Sequence, residues 1–203
     1  MFVAWNGLIV MVHDRRRVSR WQEIGDASHG ADDARRLPPR VRDWVLLQTS
    51  MTARIQQVAG APISVEVLRQ ATGRLHEDER HFFTDPPARH GTVREVCLSA
   101  QGVPLLIART ALTSRRLQEH PTIRELGNQA LGSLLFAGGR ASPWTAREMI
   151  HLRADSPLFA LVRRRHRGVQ AGYWARRTLF WLFDEPLLVT EIFLPELINH
   201  PRA

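Results

Sequence analysis

The chain has 203 residues, 44% hydrophobic and 24% charged, which suits a single soluble domain with its own hydrophobic core. Its formal charge of +8 is carried without any lysine, because all 28 basic side chains other than histidine are arginine; this excludes Schiff-base lysine chemistry and a Walker-type phosphate loop. The one cysteine, Cys97, excludes an internal disulfide and any multi-cysteine metal site, and a reducing cytoplasm fits such a chain.

Met1 to Val12 is mostly apolar, with Asp14-Arg15-Arg16-Arg17 after it. A secretory signal carries its positive charge before the apolar run, and this run is too short to span a bilayer. It reads as a tail or as residues upstream of a start at Met11. Residues 1–36 together read as a weakly ordered arm, and residues 37–203 as the domain. Pro38-Pro39 opens a helical stretch through Val41, Trp44, Val45 and Leu47. Ser50 is a good N-cap for a second helix, Met51 to Ala59, which Gly60 closes. Ile63 to Gln70 alternates and is β-branched, which predicts a strand.

Thr92 to Ser99 and Pro104 to Leu112 flank Gln101-Gly102 and predict a β-hairpin. A short helix is expected near Leu117–Leu126, a further helix from Leu131 to Phe136, and a strand near Arg147–Leu152. Residues 138–146 and 155–172 read as surface connections. Trp174 to Phe183 and Leu187 to Leu194 flank Asp184-Glu185-Pro186 as a second hairpin. Hairpins with segregated helices imply an α+β domain on an antiparallel sheet.

Strand alternation puts ionisable groups where apolar ones are expected. Arg94 shares its face with Val96 and Leu98, Glu191 with Val189 and Phe193, and Arg109 with Leu105 and Ile107. Buried unpaired charge is costly, so each needs a partner: a structural Arg–Glu pair within the sheet, or an anionic ligand in a pocket. The positive balance has parallel readings: a field that draws in a small dianion, a nucleic-acid footprint, or plain codon preference for arginine.

Four stretches resemble the chorismate lyase family. They are Trp44 to Arg54 with its Ser50-Met51-Thr52 core; Val93 to Leu98 with Gly102-Val103-Pro104 and Ala108-Arg109-Thr110; Leu126-Gly127 with Ala130 to Phe136; and Trp174 to Arg177 with Pro186 to Pro195. They cover roughly residues 38–196 in family order. The resemblance implies a six-stranded antiparallel sheet, helical flaps over a buried site, and conversion of chorismate to 4-hydroxybenzoate and pyruvate. It implies no cofactor and no metal, a cytoplasmic monomer, and an early step of ubiquinone or related quinone synthesis. Position by position it implies substrate contacts at Met51, Arg94, Leu131 and Glu191, with Arg109 as a second anion contact. Arg94 and Glu191 are then the expected catalytic residues, with Arg94 on the ring carboxylate, Arg109 on the enolpyruvyl carboxylate and Glu191 facing the 4-hydroxyl. Backbone groups at Met51 and Leu131, where helices begin, would complete the anion contacts.

The alternative is a ligand-sensing module of the same fold without catalysis. Such effector-binding domains follow a winged helix–turn–helix of domain size, and the short arm here is too little for one. Nucleic-acid binding through Arg163-Arg164-Arg165-His166-Arg167 lacks aromatic interleaving. His76 and His81 bracket Glu77-Asp78-Glu79-Arg80, but the spacing makes no helical metal pair. Neither a nucleic-acid partner nor a membrane span is expected.

Overall fold

The computed structural model describes residues 2–5, 8–11, 22–23, 37–83, 88–137, 141–168 and 172–202. Strands β1 (Phe2–Trp5) and β2 (Leu8–Met11) form a separate antiparallel ladder, and β3 (Gln22–Glu23) is a two-residue edge strand. Six long strands make the sheet: β4 (Ile63–Arg74), β5 (His90–Ala100), β6 (Val103–Leu112), β7 (Trp144–Leu152), β8 (Tyr173–Leu182) and β9 (Glu185–Phe193). With β3 at one edge the sheet has seven strands, in the order β3-β7-β8-β9-β6-β5-β4, with every neighbouring pair antiparallel. This is the α+β class that the sequence predicts, and the long strands are the six that the resemblance implies, with the short β3 added at the edge. The rest of the expected arm, residues 1–36, lies outside the described residues.

Local chemistry sets the helices. Helix α1 (Pro39–Val45) starts with proline at its first turn, where no N–H is needed, and buries Val41, Trp44 and Val45 at helical spacing. At the start of α2 (Met51–Ala59) the Ser50 side chain accepts a hydrogen bond from Ala53 N; the helix stops at Gly60, whose φ of +63° is left-handed. The single helix expected at Leu117–Leu126 is two, α3 (Arg115–Glu119) and α4 (Pro121–Arg124), because Pro121 cannot continue the first. Helix α5 (Gly132–Leu135) falls where expected. Residues 155–172 are not only a surface connection. They contain α6 (Pro157–Arg163), which buries Leu158, Phe159, Leu161 and Val162, and strand β7 starts at Trp144, inside the other expected connection. Helix α7 (Pro195–Ile198) closes the described chain.

Both hairpins form. In the first, Gln101 and Gly102 have φ of +50° and +80°, the primed geometry that matches strand twist. In the second the left-handed pair is Phe183 and Asp184, at +53° and +63°, one residue earlier than the predicted turn. A register shift between Leu98 and Ser99 makes Leu105 an extra residue on β6. Leu105 therefore packs in the same cluster as Leu106, while Ile107 and Arg109 go to the opposite face.

Helices cover the front face, which carries Val96, Leu106, Val189 and Phe193, at two places. Helices α1, α2 and α7 close one apolar cluster around Val45, Met51, Ile55 and Leu197. Helices α3 to α5 close another around Leu117, Ile123, Leu135, Phe180 and Leu187. The back face packs Cys97, Ile107 and Ile192 against α6, and Val93 and Leu188 against Leu75 and Phe83. Between the clusters of each face runs a belt of buried polar groups.

Candidate active site

Two rows of the front belt hold its charge. One reads across the sheet as Gln70, Arg94, Thr110, Val189, Thr178 and Arg147. The next reads Val67, Val96, Ala108, Glu191, Arg176 and Met149. Arg94, Arg147, Arg176 and Glu191 are all buried, so among the described residues three guanidiniums stand against one carboxylate.

Each of the arginines ties the sheet to the chain above it. Arg94 donates from Nη1 to Gln70 Oε1 at 2.5 Å, and from Nη2 to the carbonyls of Gly127 at 2.7 Å and Gln129 at 3.2 Å. None of these partners is charged, and burial lowers the pKa of Arg94. Arg176 donates from Nε to Glu191 Oε2 at 2.5 Å, and from Nη1 to the carbonyls of Trp44, Val45 and Leu47. Those carbonyls lie at and just beyond the C-terminal end of α1, where the helix leaves acceptors unpaired. Arg147 donates to Thr178 Oγ1 at 3.1 Å and to Leu47 O at 3.1 Å. Glu191 Oε1 accepts no hydrogen bond among the described residues, which leaves one carboxylate oxygen available inside the belt.

The structure brings Met51, Arg94, Leu131 and Glu191 to this face. Met51 is buried in the α1–α2 cluster, and Leu131 packs beside the α3–α5 cluster. The two segments meet: a methyl group on Gly132 would come within 3.2 Å of Thr52 Oγ1 and 3.3 Å of Ser50 Oγ. The polar belt thus has a roof made by the starts of α2 and α5. An open cavity of about 620 Å³ lies between the same segments, lined by Ser50, Thr52, Gln56, Ala130 and Ser133. No charged side chain lines it.

Arg109 is not with them. It lies on the back face, 2% exposed, in the row Arg69, Glu95, Arg109, Thr190, Arg177 and Glu148. Its Nε and Nη2 grip both oxygens of Glu79 at 2.7 and 2.9 Å, and Nη1 reaches Glu95 at 2.6 Å. Burial alone would lower its pKa; the two carboxylates more than offset that and raise it. Beside it Arg177 bonds Glu148 at 2.7 Å and Asp78 at 2.9 Å. Arg109, expected as a second anion contact, thus lies on the face opposite Arg94 and Glu191, with its charge already met by Glu79 and Glu95. Nor do Arg94 and Glu191 form the structural pair weighed from the sequence, since Glu191 belongs to Arg176.

Sequence reasoning missed Arg147 and Arg176. Arg176 alternates with Trp174, Thr178 and Phe180, a pattern that marks it as inward-facing. His76 and His81 lie beside the back belt, where His76 N donates to Glu79 Oε2 and His81 Nε2 is 3.8 Å from Glu148 Oε1. Among the described residues no group of three or more His, Cys, Asp or Glu side chains could hold a metal ion. In the basic run, Arg163, Arg164, Arg165 and Arg167 are exposed, and Arg165 pairs with Glu66.

The sequence model of the chorismate lyase family matches residues 26–202. A probable chorismate pyruvate-lyase of Halorhodospira halophila is 34% identical over 164 residues, 81% of this chain and 86% of its own length. That of Dechloromonas aromatica is 38% identical over 167 residues, 78% of this chain and 89% of its own. The chorismate pyruvate-lyase of Salmonella arizonae is 34% identical over 161 residues, 78% of this chain and 85% of its own. Among solved structures, the effector domain of PhnF from Mycobacterium smegmatis superposes with a TM-score of 0.53 at 16% identity, covering 74% of this chain and 91% of that domain. That likeness is one of fold.

Proposed function

The chain belongs to the chorismate lyase family, and we propose that it splits chorismate into 4-hydroxybenzoate and pyruvate in the roofed front belt. The observation that carries this reading is the charge surplus there: three buried guanidiniums against one carboxylate. A buried cation without a counter-ion is costly, and an anionic substrate relieves that cost.

In the reaction the ether bond at ring C3 breaks, hydrogen leaves C4, and the departing enolpyruvate gains a proton at its methylene carbon to become pyruvate. The ring becomes aromatic, which supplies much of the driving force. The protein's task is then to hold the reactive conformer. Arg94 takes the ring carboxylate through its planar fork. Glu191, anchored on one oxygen by Arg176, turns the other towards the 4-hydroxyl and the C4 hydrogen. Such a carboxylate orients the hydroxyl and shares in proton movement. Met51 and Leu131 close the roof and keep water from the ring.

The reading includes turnover without metal or other cofactor, and a place in the cytoplasm supplying an aromatic acid to ubiquinone or related quinone synthesis. No helix among the described residues is long and apolar enough to cross a membrane. The test is to incubate purified protein with chorismate and EDTA and measure both products. Equimolar 4-hydroxybenzoate and pyruvate are expected. Binding of chorismate with neither product formed would favour a ligand-sensing module instead.

A further inference from the structure

We propose that Arg147 is a second anion subsite, which takes the side-chain carboxylate of a ring substrate whose ring carboxylate sits on Arg94. The proposal rests on the lyase reading for the identity of the substrate, and on geometry for the subsite itself.

Three observations meet at Arg147. First, its guanidinium is 3% exposed, and no carboxylate lies within ion-pair distance of it among the described residues. The buried arginines Arg109, Arg176 and Arg177 each bond at least one carboxylate directly. Among the described residues, Arg94 and Arg147 are the two buried arginines that bond only neutral groups. Second, these two stand at either side of one row, separated by Thr110, Val189 and Thr178. At the usual strand spacing their Cα atoms are about 19 Å apart. Arg147 leans inward, since its Nε donates to Thr178 on the neighbouring strand. Arg94 is held by Gln70 on the outer strand β4 and by the carbonyls of Gly127 and Gln129, so a ring substrate that meets both guanidiniums draws Arg94 inward from these neutral partners. Third, Arg176 lies in the adjacent row between Arg147 and Glu191. Burial, and then the positive charge of Arg176, brings the Arg147 pKa down to about 10, with Glu191 offsetting part of the fall. A carboxylate placed beside Arg147 would remove this penalty.

The consequence is selectivity. A monoanionic ring acid satisfies Arg94 and leaves Arg147 uncompensated; a ring acid with an ether-linked carboxylate satisfies both. The front belt therefore distinguishes substrate from aromatic product by charge.

The test compares two stable probes by calorimetry. One is 4-hydroxybenzoate. The other is 3-(carboxymethoxy)-4-hydroxybenzoate, an aromatic dianion that keeps the ring carboxylate, the hydroxyl and an ether-linked carboxylate without a reactive bond. Arg147→Gln keeps an amide donor for Leu47 O and removes the charge. It should weaken the dianion by roughly tenfold to a hundredfold, the scale of a lost charge-assisted contact, and change 4-hydroxybenzoate less than about threefold. Arg147→Lys restores charge and should recover part of the dianion affinity, and it serves as the folded variant if the glutamine form unfolds. Equal weakening of both probes would show a merely structural role and overturn the proposal, as would unchanged dianion affinity. Failure of the lyase reading shows separately, as wild-type protein that leaves chorismate intact, and the probe comparison still decides the subsite.

Discussion

On the back of the sheet two guanidiniums, Arg109 and Arg177, meet four carboxylates, Glu79, Glu95, Asp78 and Glu148. On the front three guanidiniums meet one carboxylate. The belts lie on opposite faces of the same strands and the guanidiniums of both are buried, so burial of the arginines does not tell them apart. Balance does. The back belt satisfies its arginines by direct ion pairs, which makes it a brace between the β4–β5 connection and the sheet. The front belt leaves Arg94 and Arg147 on neutral acceptors among the described residues, the feature on which its proposed role as a receptor for anions rests.

The sharpest way to break this contrast is to remove one arginine from each belt. Arg109→Ala strands Glu79 and Glu95 without their cation, and should cost about 3–5 kcal/mol of stability. Arg94→Ala strands no carboxylate and should cost about 1–2 kcal/mol. Urea unfolding of both variants reads the difference, and equal losses would mean that the belts are alike in kind.

Glu191→Gln sharpens the contrast from the side of catalysis. It keeps the size and an acceptor oxygen but removes charge and basicity. Turnover of chorismate should fall by about a hundredfold, within the range that a general base contributes. The protein should stay folded and keep its 4-hydroxybenzoate affinity through Arg94. Wild-type turnover in this variant would remove Glu191 from the reaction.

How far the sequence reached depended on whether a feature was local. Turn chemistry at Gln101-Gly102 and the Ser50 cap with its Gly60 stop are local, and they were legible. The second turn was displaced by one residue because Phe183 adopts a positive φ that bulky residues rarely accept. Helix α6 was missed because Leu158 to Val162 is an almost unbroken apolar run, without the polar gaps that reveal a helical period. Among the site residues, Arg94 and Glu191 stood out as charges on apolar strand faces. Arg109 stood out equally, and the register shift explains why it lies on the other face. An uninterrupted hairpin from Ala100↔Val103 would pair Arg94 with Arg109 on one face; the extra residue Leu105 pairs Arg109 with Glu95 instead and turns it to the back. Arg147 and Arg176 became visible only when β7, β8 and β9 were laid side by side.

A smaller effect tests the back belt alone. Burial lowers the His76 pKa below 6.5, partly offset by Glu79, so on acidification the unfolded chain takes the proton first. Stability is therefore lost as pH falls through the unfolded value of 6.5 towards the folded one. Glu148 adds a later loss. Burial alone would raise its pKa, but its bond to His81 and the charge of Arg177 outweigh this and hold it below 4.5, so its contribution disappears as pH falls through that lower value. His76→Gln should show a smaller drop in Tm than the wild type between about pH 7.5 and about pH 5.5. An identical drop would place the acid sensitivity elsewhere.

The most direct test of the account is a calorimetric titration of 4-hydroxybenzoate into Arg94→Ala and Arg109→Ala side by side, each scaled to its folded fraction. If the front belt receives the ligand and the back belt only braces the sheet, Arg94→Ala loses roughly tenfold to a hundredfold in affinity. Arg109→Ala, for all its lost stability, binds as the wild type does. Normal binding by Arg94→Ala, or a comparable loss in folded Arg109→Ala, would contradict the division of the sheet into a receptor face and a brace.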